Sequence, residues 1–145
     1  QRALEALVAR AERPLVEDAR VRRATLLLEA RRGDVRVDAV AAEVGLHVRT
    51  MERLFLDAFG ISPKRLARLV RLRHVLGALH AGAFRTLAEV AHACGYADQA
   101  HLVHDFKSLT GRLPGEPDAA RSRVLARADV RVVHRVHLSC GARPR

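Results

Sequence analysis

A chain of 145 residues with 49% hydrophobic side chains can bury one small domain, or two very small ones, and is not disordered throughout. A net charge of +10 points to a polyanionic partner, nucleic acid ahead of membrane, and apolar runs of only a few residues exclude a membrane-spanning helix. Two cysteines, Cys94 and Cys140, give neither a disulfide framework nor a metal-ligand spacing, so a reducing cytoplasm is the expected setting.

The charge is unevenly spread. Residues 121–145 hold seven arginines against one aspartate, +6 of the total, leaving +4 for residues 1–120. A basic tail attracts any polyanion, so the charge by itself specifies no function.

Along the chain, Ala3, Leu4, Leu7, Val8 and Ala11 fall at helical spacing up to Pro14. Val21, Ala24, Leu27 and Leu28 make a second helical face that runs out at Arg31-Arg32-Gly33, a cationic and glycine-bearing end suited to a helix C-terminus. Asp38 is the expected N-cap of a short helix over Ala39–Val44, with Gly45 in the turn after it. A helix from about Val48 to Ala58 follows, closed by Gly60. Ser62-Pro63 then restarts the chain as N-cap and first helical residue, and Leu66, Leu69, Val70, Leu72, Val75, Leu76 and Leu79 form a broad apolar stripe to about Ala81.

Thr86-Leu87-Ala88-Glu89 reads as a capping box opening a short helix that ends at Gly95. Asp98 caps a helix from Gln99 to about Leu109, ended by Gly111, and Pro114 is placed to begin a last short helix. All five aromatic residues, Phe55, Phe59, Phe84, Tyr96 and Phe106, lie within this middle region, where the core is expected. Residues 122–145 show no helical face and are expected to be a poorly ordered basic tail. A strand over Val130 to Leu138 is the other possibility there.

The chain repeats itself. Val40-Ala41-Ala42-Glu43-Val44-Gly45 returns 50 residues later as Val90-Ala91-His92-Ala93-Cys94-Gly95, and Met51, Phe55, Gly60 and Pro63 return 51 residues later as Leu102, Phe106, Gly111 and Pro114. An offset that grows by one just after the glycine marks a one-residue insertion in a turn between two helices. The unit is therefore a helix-turn-helix written twice. Alanine at 41 and 91 admits close helix crossing, glycine at 45 and 95 admits a positive φ, and the later apolar residues face the core. A 19-residue connecting helix at ~1.5 Å per residue spans roughly 28 Å, close to the ~34 Å between successive major-groove faces on one side of B-DNA. One chain can thus present two different helices to an asymmetric site.

From about Val37 to Arg121 the residues resemble the DNA-binding domain of AraC/XylS-type transcription regulators. The resemblance is carried by Val48-Arg49-Thr50-Met51-Glu52-Arg53-Leu54-Phe55, Phe59-Gly60-Ile61-Ser62-Pro63, Glu89-Val90-Ala91, Gly95-Tyr96-Ala97-Asp98-Gln99-Ala100-His101-Leu102, Phe106-Lys107, Thr110-Gly111 and Pro114. It implies an all-α, seven-helix fold of two helix-turn-helix subdomains, residues 38–60 and 86–111, joined by a long central linker helix, residues 63–81, within a domain at 35–121. Residues 1–34 would be a helical lead-in from a sensor domain. With no initiator Met at Gln1, the chain is expected to be a piece of a longer protein whose small-molecule effector acts through that N-terminal domain. RNA polymerase and double-stranded DNA are the expected partners, and the nucleoid the expected location.

The family's base-reading positions map onto Arg49, Glu52 and Arg53 on the first recognition helix. Arg53 suits bidentate pairing with guanine, Glu52 accepts from cytosine N4, and Thr50 suits a phosphate or a thymine methyl. On the second helix the corresponding face offers Gln99, Ala100, His101, Val103 and His104, with Gln99 suited to adenine and the histidines to guanine N7 or phosphate. Lys107, Arg65 and Arg85 are phosphate candidates, and Arg68, Arg71 and Arg73 on the linker helix are further backbone-contact candidates. His101 and His104, three apart, admit a metal pair, but two more ligands are not evident, and neither metal nor cofactor is expected.

Three departures from the family pattern stand out. His104 occupies a place where arginine is usual, which weakens the second helix's grip or makes it pH-dependent. His47 replaces a capping Ser or Thr, at an expected cost of up to ~1 kcal/mol. Pro117 stands where the family has tyrosine. Asp105 is expected to serve a local ion pair or to touch the transcription machinery.

No paired-carboxylate, Ser-His-Asp or phosphate-loop pattern supports an enzyme. Two other readings share the repeat: a helical module that contacts RNA polymerase or another protein without reading DNA, and the DNA-binding part of an Ada-type repair regulator, whose reactive cysteine segments this chain lacks.

Overall fold

Six α-helices, with no strand among them, build the part of the chain that the computed structural model describes, residues 18–82 and 84–116. They are α1 (Ala19–Ala30), α2 (Val37–Glu43), α3 (Val48–Phe59), α4 (Pro63–Ala81), α5 (Leu87–Ala93) and α6 (Gln99–Thr110). The helix expected before Pro14 and the tail from 122 lie outside the described residues.

Local chemistry accounts for most boundaries. Asp18 caps α1 by accepting from the Arg20 backbone N–H at 2.9 Å. The Arg20 guanidinium on the same carboxylate holds its pKa down, to about 2. Ser62 Oγ accepts from Arg65 N at 3.2 Å with Pro63 in the first turn, and Asp98 Oδ1 accepts from His101 N at 2.7 Å. Thr86 Oγ1 accepts from Glu89 N, while the Glu89 carboxylate reaches back one residue further than expected, to Arg85 N at 2.9 Å.

Three boundary expectations change. The N-cap of α2 is Arg36, not Asp38. Asp38 sits inside the first turn, accepting from Ala39 N and paired with the Arg36 guanidinium at 2.5 Å, a place where its negative charge still favours the helix N-terminus. His47 does supply a cap, because its Nδ1 accepts from Arg49 N at 3.3 Å, so the loss expected from replacing a hydroxyl is largely avoided. After α6, Pro114 and Gly115 form a turn with Glu116 N donating to Leu113 O, so no helix begins at Pro114 as far as Glu116.

The apolar side chains gather into two clusters on opposite parts of α4. Leu66, Ala67 and Val70 join Val21, Leu28, Val40, Met51 and Phe55 from α1, α2 and α3. Leu69, Leu72 and Val75 join Val90, Leu102 and Phe106 from α5 and α6. The long helix is a shared wall, and Ile61 before it touches both cores. Phe84 departs from the aromatic expectation: it is 38% exposed, beside Ala88, His92 and Ala93 on a shallow apolar surface.

Candidate nucleic-acid interface

Both helix-turn-helix units turn by the same hydrogen bonds. In the first, Gly45 N donates to Ala42 O and Leu46 N to Ala41 O at 2.8 Å; in the second, Gly95 N donates to His92 O and Tyr96 N to Ala91 O at 2.9 Å. This paired pattern requires a left-handed residue after the helix, and Gly45 and Gly95 meet it with φ of 69° and 74°. Ala41 and Ala91 are buried where the following helix crosses. The turn therefore aims α3 and α6 away from their partner helices and leaves one face of each in solvent.

On α3, Arg49, Glu52 and Arg53 are exposed, Thr50 is half-buried, and Met51 and Phe55 are fully buried behind them. The exposed row continues at Leu56, 52% accessible, which sequence inspection passed over because a leucine at helical spacing reads as core. On α6, Gln99, Ala100, His101, His104 and Lys107 are exposed. Val103 is different: it is half-buried and packs on the second core, so only part of it reaches the outer face. The His101 ring stands edge-on to Tyr96, centroids 5.2 Å apart. Arg65 and Arg85 are exposed at the starts of α4 and of the capping box before α5.

Arg68, Arg71 and Arg73, the further backbone-contact candidates on α4, have partners within the protein. Arg68 Nε donates to Asp105 Oδ1 at 2.6 Å and its Nη2 to Ser108 Oγ; Arg71 Nη2 donates to Gly33 O at 2.7 Å; Arg73 pairs with Glu29. These bonds tie α4 to α6, to the segment after α1 and to α1 itself. By contrast, the Arg49, Glu52, Arg53 and Lys107 side chains make no hydrogen bond or ion pair with any described residue. Asp105 serves the local ion pair expected of it and is buried. Its second oxygen accepts from the Tyr96 hydroxyl at 3.0 Å.

Titration of the buried groups follows their surroundings. Burial, then the charge of Asp105 and the hydrogen bond to it, raises the Tyr96 phenol above its usual 10. Burial also raises the Cys94 thiol, against the lowering charges of Arg32 and Arg71. Burial and the neighbouring Arg73 and Arg32 charges lower His74. Among the described residues no cluster of three metal-ligating side chains occurs, and no helix is long and apolar enough to cross a membrane.

A family model described as a helix-turn-helix domain matches residues 40–118, which takes in both turns and both exposed helices. The chain belongs to this family, as an AraC-type helix-turn-helix domain. Its similarity extends to the HTH-type transcriptional activator RhaS of Escherichia coli O139:H28 (strain E24377A / ETEC), 34% identical over 77 residues. The RhaS proteins of Escherichia coli strains SE11 and K12 / DH10B match at the same identity. In each case the match covers 51% of this chain and 26% of the relative, so the chain spans about a quarter of the curated proteins it resembles. No solved structure matches. The family is one of DNA-binding regulators rather than of enzymes.

Proposed function

We propose that this AraC-type domain binds double-stranded DNA sequence-specifically and regulates transcription, with α3 and α6 each reading a major groove and the two grooves being successive ones. The observation that carries this reading is the sorting of the cations. Those on α4 at 68, 71 and 73 are tied to protein partners, whereas Arg49, Arg53 and Lys107 stand solvated on the outward faces of the two helices that follow the turns. In this arrangement Arg53 and Arg49 meet guanine, Glu52 meets cytosine, Thr50 a phosphate or thymine methyl, and Gln99 adenine. Ala100, His101, Val103 and His104 complete the second face, and Lys107, Arg65 and Arg85 neutralise phosphates. RNA polymerase would be the partner through which binding acts on transcription, and an effector would act through a domain N-terminal to this one, in the bacterial cytoplasm.

Selection of binding sites from random duplex DNA, with the whole chain and with a version ending at Arg121, tests the reading. The expected result is an asymmetric motif of two blocks about one helical turn apart, unchanged by removal of the tail. Arg53→Ala then relaxes base preference in one block only. Lys107→Ala weakens all sequences alike and lowers the salt slope by about one unit. Binding without a motif that vanishes with the tail would favour the second reading, a protein-contacting helical module. The exposed Leu56 on α3 is the observation that speaks for it.

A further inference from the structure

Two segments distant in sequence from each other converge on Arg71. Gly33, which precedes the first unit, lies so close to α4 that a Cβ there would stand 2.1 Å from Ala67 O. Gly95, in the turn of the second unit, lies so close to Asp34 that a Cβ would stand 2.6 Å from its carboxyl carbon. The Arg71 side chain fills the space between. Its Nη2 donates to Gly33 O at 2.7 Å and lies 3.5 Å from Asp34 Oδ1, while its guanidinium carbon stacks 5.1 Å from the centre of the Tyr96 ring. Tyr96 in turn touches the His101 ring on the outward part of α6 and donates to Asp105 on its inward part.

The two apolar cores on α4 pack each unit against the shared helix through contacts that are individually non-directional. A planar guanidinium that must satisfy a carbonyl in its plane and an aromatic ring on its face is directional. Arg71 Nε is buried without a partner, so the residue carries a local cost that a packed apolar side chain would not. We propose that Arg71, gripping Gly33 and Asp34 on one side and Tyr96 on the other, is a positioning residue that sets the angle between the two reading helices, and through it the base-pair spacing between the blocks that the domain accepts. The inference rests on the DNA-reading proposal above.

The test uses the whole chain and the selected two-block site, with the spacer native, shortened by one base pair or lengthened by one, and with each block alone. Two heads held rigidly act at high effective concentration only on the matching spacer, so the wild type should bind the native spacer about tenfold or more tighter than either altered one. In Arg71→Ala the three spacers should fall within about threefold of one another, with each single block bound as by the wild type. Tyr96→Phe keeps the ring that Arg71 stacks on and should retain spacer discrimination, whereas Tyr96→Leu should lose it. Asp34→Ala, at an exposed position that does not threaten folding, should give a smaller flattening in the same direction and serves if Arg71→Ala proves unfolded by circular dichroism. Equal weakening on all three spacers, or discrimination as sharp as the wild type in both Arg71→Ala and Asp34→Ala, would overturn the positioning role. A wild type with no selected motif would instead overturn the DNA reading itself.

Discussion

The two helix-turn-helix units share a backbone and differ in how they are fastened to α4. Their turns carry matched hydrogen bonds, with Ala41 and Gly45 repeated as Ala91 and Gly95, and Phe55 repeated as Phe106 in the core. Where the first unit has Leu46 and Leu54, the second has Tyr96 and Asp105, and where the first ends its outward row with Leu56, the second has Lys107. At these positions the first unit thus meets the core through leucines, and the second through Tyr96 and Asp105, on which Arg71 and Arg68 act. A repeated fold tolerates this exchange because a leucine and a polar side chain with a partner can both be buried at these places, and the polar contact adds direction.

The common core gives the largest expected effects. Phe55→Ala and Phe106→Ala should each cost about 3–5 kcal/mol, both rings being buried to within 1% of full. Denaturant melts that show one of them costing less than half the other would break the equivalence of the two units.

The next contrast sits at the exchanged position. Asp105→Ala strands the Arg68 guanidinium and the Tyr96 hydroxyl, and with Arg68 a third exposed the cost should be about 2–3 kcal/mol. Leu54→Ala removes half-buried packing and should cost about 1–2 kcal/mol. Equal costs would mean that stranding Arg68 and Tyr96 carries no penalty beyond lost packing.

The turns differ in their surroundings rather than in their dihedrals. Gly45→Ala meets no atom within 4 Å and should cost about 1 kcal/mol for the left-handed backbone alone. Gly95→Ala bears the same strain and also displaces Asp34, for a total of about 2 kcal/mol. Chemical denaturation of the two variants side by side measures the difference.

The smallest effect concerns alkali. Tyr96 is the single tyrosine and there is no tryptophan, so an ultraviolet titration reports on it alone. Its midpoint should lie above 10 in the folded protein and return to about 10 in urea. Because the folded pKa is the raised one, the stability this group contributes is complete below pH 10 and declines as pH rises from there, where the unfolded chain ionises first. Tyr96→Phe should abolish that decline. A native midpoint at 10 would mean that the phenol is not held by Asp105, and the contrast with Leu46 would lose its electrostatic part.

Much of this was readable along the chain because the signals are short-range. Ser62, Thr86 and Asp98 cap within three residues of themselves, and glycines at 45, 60, 95 and 111 mark turns by their own φ. The stripe on α4 anticipated its burial, and the internal repeat anticipated two similar turns. Asp38 and Arg36 show where local reading falters, since two polar residues two positions apart flank one helix start and only the observed backbone tells which stands outside it. Phe84 was expected in the core with the other aromatic residues and lies 38% exposed, because position along the chain does not tell what covers a side chain.

The sequence by itself determined the helices, their order and the two turns, since capping, backbone strain and apolar periodicity act over a few residues. Only the tertiary structure decided which arginines are held and which are free. Arg68 meets Asp105 37 residues away and Arg71 meets Gly33 across 38, while the guanidinium groups of Arg49 and Arg53 have no hydrogen bond or ion pair with the described residues. A guanidinium carries the same charge and donors everywhere; its role is set by what the packed core brings within 3 Å of it, and that is a property of the assembled fold.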